Sequence, residues 1–194
     1  IDDTPGLPPW ELTIQERLQQ AGYRTAAFGK IHMMPERGFH EQLITGGKGA
    51  RWTKSAGLPI GLGPLGRDYA AWLEERHPGA YEAIYERRRQ PDYSEYATAV
   101  PFPLPLEQYV DYWTAENTIS FLNREHDRLF FVWCGFCGPH PPCDPPEPYD
   151  KMYAEDEIEL PSNYGVHEDG SPRPTTPRQD AVARRFCAYY LALV

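Results

Sequence analysis

The strongest constraint on the fold is an uninterrupted apolar run at residues 129–134 (LFFVWC), which leads into a proline-rich segment. Aromatic and β-branched residues in a row favour a β-strand. Because the run lacks the polar alternation of a half-exposed strand, it predicts a strand that is buried on both faces. Such strands belong to parallel sheets whose faces are covered by helices. The run therefore predicts an α/β fold.

A helix and a strand are also predicted near the start of the chain. Thr13 and Glu16 form a capping-box pattern that begins a helix, and Gly22 ends it. Residues 23–28 (YRTAAF) then predict a short strand, which ends at residues 29–32 (GKIH). The carboxyl ends of parallel strands are where open α/β sheets bind their ligands. The GKIH segment is therefore a candidate site.

Together with the two strands, the other predicted elements favour a mixed, mostly parallel sheet flanked by helices. Residues 40–67 are rich in glycine and lack a clear period, so they predict a loop. Together, residues 40–105 predict an excursion of loop and helix from the main fold. Because the last predicted helix reaches the end of the chain, we expect residues 1–194 to be part of a single longer domain, truncated at both ends. The helices are predicted at residues 69–90 (interrupted at 77–79), 106–123 and 180–194.

Charge and hydropathy exclude two classes of partner. The formal net charge is −9, whereas nucleic-acid binding depends on a basic surface. We therefore expect no nucleic-acid partner. The sequence lacks a run of 18 apolar residues, so we expect no membrane span. An anionic small molecule remains compatible with the net charge, since a few cations set the local field in a cleft.

Cys134 and Cys137 have the CxxC spacing of a redox dithiol. A thioredoxin-type thiolate needs a helix N-terminus to lower its pKa. Six prolines lie between residues 139 and 148, and they prevent such a helix. A zinc site would use Cys134, Cys137, Cys143 and either His126 or His140. Structural zinc sites generally pair two ligand knuckles, and a second knuckle does not follow, so the spacing disfavours zinc.

A third interpretation makes the strand a support for His140. Gly135 and Gly138 would loosen the strand exit, and the flanking prolines would hold the imidazole in a stiff frame. Lys30 and His32 leave the other strand, and alternation predicts that they lie on the same side. An ammonium and two imidazoles suit an oxyanion with several acceptor oxygens. The alternatives are a solvated lysine and ordinary loop histidines.

These segments resemble the sulfatase family, within the alkaline-phosphatase-like superfamily. Residues 13–32 (TIQERLQQAGYRTAAFGKIH) are similar to the family's helix, Ala-Gly-Tyr, strand and Gly-Lys-x-His segment. Residues 128–149 are similar to its later strand and Pro-His-x-Pro segment. Residues 32–39 (HMMPERGF) resemble bacterial sulfatases and related phosphonate or phosphate ester hydrolases. The resemblance implies a partial alkaline-phosphatase-like α/β/α sandwich.

The resemblance also implies roles for the three candidate residues. Lys30 corresponds to the lysine that touches both the sulfate and the formylglycine nucleophile. His32 corresponds to the histidine that is hydrogen-bonded to the formylglycine hydrate and helps to release the sulfate. His140 corresponds to the histidine that binds the sulfate oxygens of the ester and assists the leaving group. The implied reaction is hydrolysis of a small-molecule sulfate monoester with the help of a divalent cation, Ca²⁺.

The chain departs from the family pattern at the nucleophile and the metal ligands. None of its four cysteines lies in a Cys/Ser-x-Pro/Ala-x-Arg context, because none has the Arg four positions later, and Cys143 has Glu there. Asp2-Asp3 has no preceding apolar strand and is expected to be a loop. We therefore expect the formylglycine and the metal ligands outside this chain, which should be inactive alone. The alternatives are a phosphate or phosphonate monoester hydrolase, an anion-binding protein without activity, or a CxxC redox or metal-binding module.

Overall fold

The computed structural model describes residues 6–31, 35–48 and 67–194 of the 194-residue chain. The described residues form two compact units, one from the residues up to 78 with 110–137, the other from 79–109 with 138–194. The strands are β1 (Arg24–Lys30), β2 (Glu41–Thr45) and β3 (Phe130–Gly135). The described helices are α1 (Ile14–Gln20), α2 (Arg67–Arg76), α3 (Ala80–Arg89), α4 (Pro91–Glu95), α5 (Val110–Leu122) and α6 (Pro177–Leu191). Short 3₁₀ turns lie at Leu106–Gln108, Tyr149–Lys151 and Glu155–Glu157.

The first unit contains a parallel sheet with the strand order β2-β1-β3. Its central strand, β1, is buried from Thr25 to Gly29. On one face, Phe28 packs against Phe121 of α5, with 5.7 Å between ring centroids. On the other face, Ala27 packs with Ile31 and Ile44. The α/β fold class, a parallel sheet flanked by helices, is thereby confirmed.

Strand β3 was predicted correctly, but its predicted burial was wrong. Phe130 and Trp133 are each 38% exposed, and Cys134 is also exposed. Of the described strands, β3 pairs with β1 and lies at the edge of the sheet. Side chains at an edge have neighbours on one side, so an apolar run does not guarantee burial there. The strand with two described neighbours, β1, is the buried one.

Strand β2 was missed, because its residues lie in the segment that was predicted as a loop. The five residues EQLIT include two strongly apolar side chains and run into glycines. Tertiary contacts make the strand: it pairs in parallel with β1, and the Ile44 amide donates to the Asp68 carboxylate at 2.6 Å. Strand formation depends on such partners more than on local propensity. Residues 49–66 of the predicted loop lie outside the described residues.

The predicted helix signals in the first part of the chain are confirmed. The capping box of α1 is formed, with the Thr13 hydroxyl accepting from the Glu16 amide at 3.1 Å and the Thr13 amide donating to Glu16 at 2.8 Å. The predicted break at residues 77–79 separates α2 from α3. The long helix predicted at 106–123 is divided into a 3₁₀ turn and α5.

The second unit has its own core, around α6 and the proline-rich loop. Cys143, Ala99 and Ile158 pack against Ala188 and Tyr189 of α6. Helix α6 begins three residues earlier than predicted, because Thr176 and Gln179 form a second capping box. Throughout the described residues, no helix combines the length and apolar character needed to cross a lipid bilayer.

Candidate active site

Lys30 lies at the carboxyl end of β1, as predicted. It is opposite Thr45, the last residue of β2, and its carbonyl oxygen accepts from the Trp133 indole nitrogen at 3.1 Å. The ammonium nitrogen lies 3.9 Å from the position that a Cβ on Gly47 would take. With the residues that the structure describes, the Lys30 side chain forms no ion pair. No described carboxylate therefore neutralises the ammonium at this edge of the sheet.

Two glycines allow the strand ends next to Lys30 to approach closely. Gly29 has a φ of +87°, and a Cβ there would lie 2.3 Å from the Gly135 carbonyl oxygen and 2.5 Å from the Thr114 side chain. A Cβ on Gly135 would lie 2.1 Å from the Lys30 carbonyl oxygen. The expectation that Gly135 loosens the strand exit is therefore wrong: the residue is closely packed. These contacts fix the backbone that carries Lys30.

His32 lies outside the described residues, as does Asp2-Asp3. The predicted role of His32 and the predicted loop at Asp2-Asp3 both stay predictions. The same holds for the expectation that alternation directs Lys30 and His32 to one side.

The two cysteines of the CxxC spacing differ in their surroundings. Cys134 is exposed in β3, whereas Cys137 is buried in the following loop, and both are free thiols. The Cys137 amide donates to the Asp111 carboxylate at 2.6 Å, which holds the strand exit against α5. Residues 136–148 form no α-helix. The helix N-terminus that activates a thioredoxin-type thiol is therefore absent here, and the geometry does not support a redox dithiol.

His140 is exposed at the tip of the proline-rich loop in the second unit. Its Nδ1 atom lies 2.7 Å from the Pro141 carbonyl oxygen. A carbonyl oxygen only accepts hydrogen bonds, so Nδ1 carries the hydrogen and donates it. The other ring nitrogen, Nε2, is then the atom that can face a ligand. The bond fixes the tautomer of neutral His140, a detail that decides how a histidine acts in a site.

The residues that follow His140 are firmly anchored. Pro142 to Pro146 are buried, and the Val100 amide donates to the Cys143 carbonyl at 3.2 Å. Asp144 forms an ion pair with Arg88 at 3.3 Å, with the two side chains 6% and 9% exposed. The Tyr109 hydroxyl lies 3.5 Å from the same carboxylate. Sequence analysis missed Arg88 because 56 positions separate it from Asp144 and no motif contains both.

The region around this ion pair has a low exposure to water. Burial raises the pKa of Tyr93, and the Asp144 carboxylate adds to the increase, while the Arg88 guanidinium acts in the opposite direction. The Arg88 and Asp144 side chains are themselves largely buried. In such an environment the attraction between Arg88 and Asp144 is less screened than on the surface.

The described residues do not assemble a metal site. Within the ranges 6–31, 35–48 and 67–194, no three His, Cys, Asp or Glu side chains are grouped to hold an ion. His126, a candidate zinc ligand, instead contacts the Phe121 carbonyl oxygen at 3.0 Å and packs on Phe130. Cys143, another candidate, lies in the apolar core of the second unit. The geometry therefore does not support the zinc interpretation.

Lys30 belongs to the first unit and His140 to the second. The expectation that Lys30, His32 and His140 line one cleft stays a prediction. Asp111 and the pair of Arg88 and Asp144 are the residues that the sequence did not reveal. The one local signal for this pair was that Asp144 precedes a proline, and an Asp-Pro pair is typical of any turn.

Comparison with known proteins identifies the family of the chain. The sulfatase family model matches residues 2–192. Over 156 residues the chain is 28% identical to an arylsulfatase of Clostridium perfringens (strain 13 / Type A), an alignment that covers 78% of this chain and 32% of that protein. The chain thus spans about a third of the length of this curated relative. Since the family model extends over almost the whole chain, the chain belongs to the sulfatase family.

Proposed function

We propose that the chain is part of the catalytic domain of a sulfuric ester hydrolase, in which Lys30 and His140 bind the sulfate group of a small-molecule ester. The observation that carries the proposal is the position of Lys30. Its ammonium, which forms no ion pair with a described residue, lies at the carboxyl edge of a parallel sheet, where α/β folds bind their ligands. The relationship to an arylsulfatase supports a sulfate ester as the substrate class.

Each proposed residue has a chemical task that fits its surroundings. The Lys30 ammonium supplies a positive charge with three N–H donors for the anionic oxygens. The Nε2 atom of His140 donates to a sulfate oxygen, or a proton to the leaving alcohol, when the ring is protonated. Donors that are held in place toward developing charge are usually the largest catalytic contribution. For His32 we propose the role of a base that would accept a proton from the formylglycine hydrate.

The proposal includes a formylglycine nucleophile and a divalent cation, Ca²⁺, as expected for a sulfatase. The described residues supply neither a nucleophile motif nor a group of metal ligands, so they do not fit the metal by themselves. We assign both to parts of the protein other than the described residues. The role of this chain is to bind and orient the ester.

A phosphate or phosphonate monoester hydrolase is the second candidate. Sulfate and phosphate esters present tetrahedral groups of oxygen acceptors, and a lysine with a histidine can bind either. The two candidates are separated by rates on matched substrates. We expect the full-length protein to hydrolyse 4-nitrophenyl sulfate with a larger kcat/KM than 4-nitrophenyl phosphate. The reverse order would favour the second candidate.

Substitution of the two residues tests the proposal directly. We expect Lys30→Ala and His140→Ala each to lower kcat/KM by about 10²- to 10³-fold, as for other lost oxyanion contacts. His140 is exposed, so His140→Ala should leave the unfolding midpoint nearly unchanged. Lys151→Ala is the control, because it removes an exposed lysine that pairs with Glu147. Full activity per folded molecule in both test variants would refute the proposed roles.

A further inference from the structure

We infer that Arg88 and Asp144 are positioning residues for His140, an inference that rests on the proposed role of His140 in sulfate binding. Neither residue is proposed to contact the ester. Their effect passes through the backbone of residues 140–144, which connects the buried ion pair to the exposed imidazole.

The loop divides into an exposed tip and a buried anchor. His140 and Pro141 are exposed, whereas residues 142–146 are all buried. The anchor is hydrogen-bonded to one neighbouring segment at two points, from the Val100 amide to Cys143 and from the Phe102 amide to Pro145 at 3.1 Å. The carboxylate of Asp144 lies between these two points in the chain. The anchor is therefore the fixed end from which the tip projects.

Asp144 is a costly residue to bury, and its partners explain its presence. Charged side chains are rarely buried unless they are paired. Arg88 comes from α3 and Tyr109 from the segment before α5, so the two partners hold the carboxylate from separate parts of the second unit. Removing one charge of a buried pair leaves the other without compensation. The anchor should consequently shift toward water when either charge is lost.

A shift of the anchor reaches His140 because the intervening chain is stiff. Pro141 and Pro142 follow the histidine, and each fixes its own φ angle. The residue before a proline is restricted as well, which limits His140 itself. The imidazole also donates to the Pro141 carbonyl oxygen, so its direction depends on the same backbone. Movement at Asp144 therefore changes the direction of Nε2 instead of being absorbed by the loop.

The test variants are Asp144→Asn and Arg88→Met, with Asp92→Asn as the control. Asp92 forms a bidentate pair with Arg87 at 2.7 and 2.8 Å in the same unit, but it lies outside the proline-rich loop. Each variant is made in the full-length protein. The first readout is the ¹⁵N spectrum of the His140 ring, assigned with His140→Ala. The second is the affinity for inorganic sulfate.

In the wild type we expect the Nδ1-protonated tautomer of neutral His140. In Asp144→Asn and Arg88→Met we expect signals that average between the two tautomers and sulfate binding that is about 10-fold weaker, because small displacements of a binding group are costly. Arg88→Lys, which keeps the charge, should restore part of the affinity. Asp92→Asn should match the wild type in both readouts.

Unchanged His140 signals in folded Asp144→Asn and Arg88→Met would overturn the inference. If the single variants do not fold, the double variant Arg88→Met/Asp144→Asn removes the pair without leaving an uncompensated charge, and the same criterion applies. Failure of the proposed function gives a different result: sulfate does not bind the wild type, or it binds His140→Ala equally well. The tautomer comparison still decides whether Arg88 and Asp144 position the ring.

Discussion

Gly29 shows how one residue can control the geometry of the candidate site. Its positive φ favours glycine, and the space that a side chain would need is occupied by the Gly135 carbonyl and Thr114. The backbone conformation and the close contact are separate requirements. Because Gly29 immediately precedes Lys30, its packing determines the direction in which the lysine side chain leaves the strand.

We predict that Gly29→Ala lowers the free energy of unfolding by roughly 3 kcal/mol, from backbone strain together with overpacking. Gly22→Ala is a matched control, because Gly22 has a φ of +88° but nothing within 4 Å of the added Cβ. It should cost only about 1 kcal/mol, from strain alone. Urea denaturation measures both values. Equal losses for the two variants would show that the contact with Thr114 and Gly135 is unimportant.

Cys137 and Cys134 provide a second prediction for single residues. Cys137→Ser places a hydroxyl at a buried position, so we expect a loss of about 1–2 kcal/mol in unfolding free energy. The rate of sulfate ester hydrolysis per folded molecule should be unchanged, since the thiol has no proposed part in hydrolysis. Cys134→Ser, at an exposed position, should change neither quantity. Abolished hydrolysis in either folded variant would restore the dithiol as a functional candidate.

Residues of the candidate site could be predicted where a motif surrounds them. Lys30 ends β1 and His140 follows β3, each in a recognisable segment, so the sequence proposes both residues and their roles stay predictions. Asp111 and Arg88 act through contacts with residues 26 and 56 positions away. Such contacts depend on the path of the chain in space, which a single sequence does not contain.

The same distinction holds for helices and strands. Helix α1 could be predicted because its capping box and its terminal glycine are both local. Strand β2 was missed because its partners, β1 and Asp68 of α2, are distant in sequence. For β3, the apolar run predicts a strand correctly, but its position in the sheet decides its burial. Local chemistry predicts the type of an element better than it predicts the burial and the partners of that element.

An ion cluster connects the ends of α5 and β2 and makes this part of the first unit sensitive to acid. Arg124 donates to both oxygens of Glu41 at 2.8 Å, and Arg24 lies 3.6 Å from the same carboxylate. The bonds from Arg124 hold the pKa of Glu41 below its usual range, with a smaller contribution from Arg24. The charged form therefore contributes stability at neutral pH.

We predict that Glu41→Gln lowers the unfolding free energy by about 1 kcal/mol at pH 7, the upper end for a partly exposed pair. The wild type should lose the same contribution as the pH falls below the ordinary Glu pKa of about 4.3 and through the lower folded value. The two proteins should thus converge in acid. Glu82→Gln, which removes an exposed partner of Arg89, is the control. A difference that persists undiminished at low pH would contradict the assignment.

At the scale of the whole 194-residue chain, the net charge of −9 opposes the binding of anions in general. A specific sulfate site must overcome this field locally, through residues such as Lys30. Stabilisation by sulfate is therefore more informative here than in a basic protein, where any anion would stabilise.

We predict that inorganic sulfate raises the melting temperature of the full-length protein, whereas sodium chloride at the same ionic strength does not. At a concentration ten times the Kd, binding to one site contributes about 1.4 kcal/mol. That corresponds to a shift of roughly 3–6 °C for a protein of 150–250 residues and to a smaller shift for a larger one. The shift should disappear in His140→Ala. Equal effects of chloride and sulfate would indicate general screening instead of a site.

The exposed edge of β3 has a consequence for handling the chain by itself. Phe130, Trp133 and Phe136 are exposed on and just after a strand that has one described neighbour. Unpaired strand edges with apolar side chains promote self-association and aggregation. Production of the 194-residue chain should therefore give oligomers or inclusion bodies. The substitution Phe130→Lys should increase the soluble yield. The edge of the sheet would then act as a self-association surface, and a charged side chain at that edge should reduce the association.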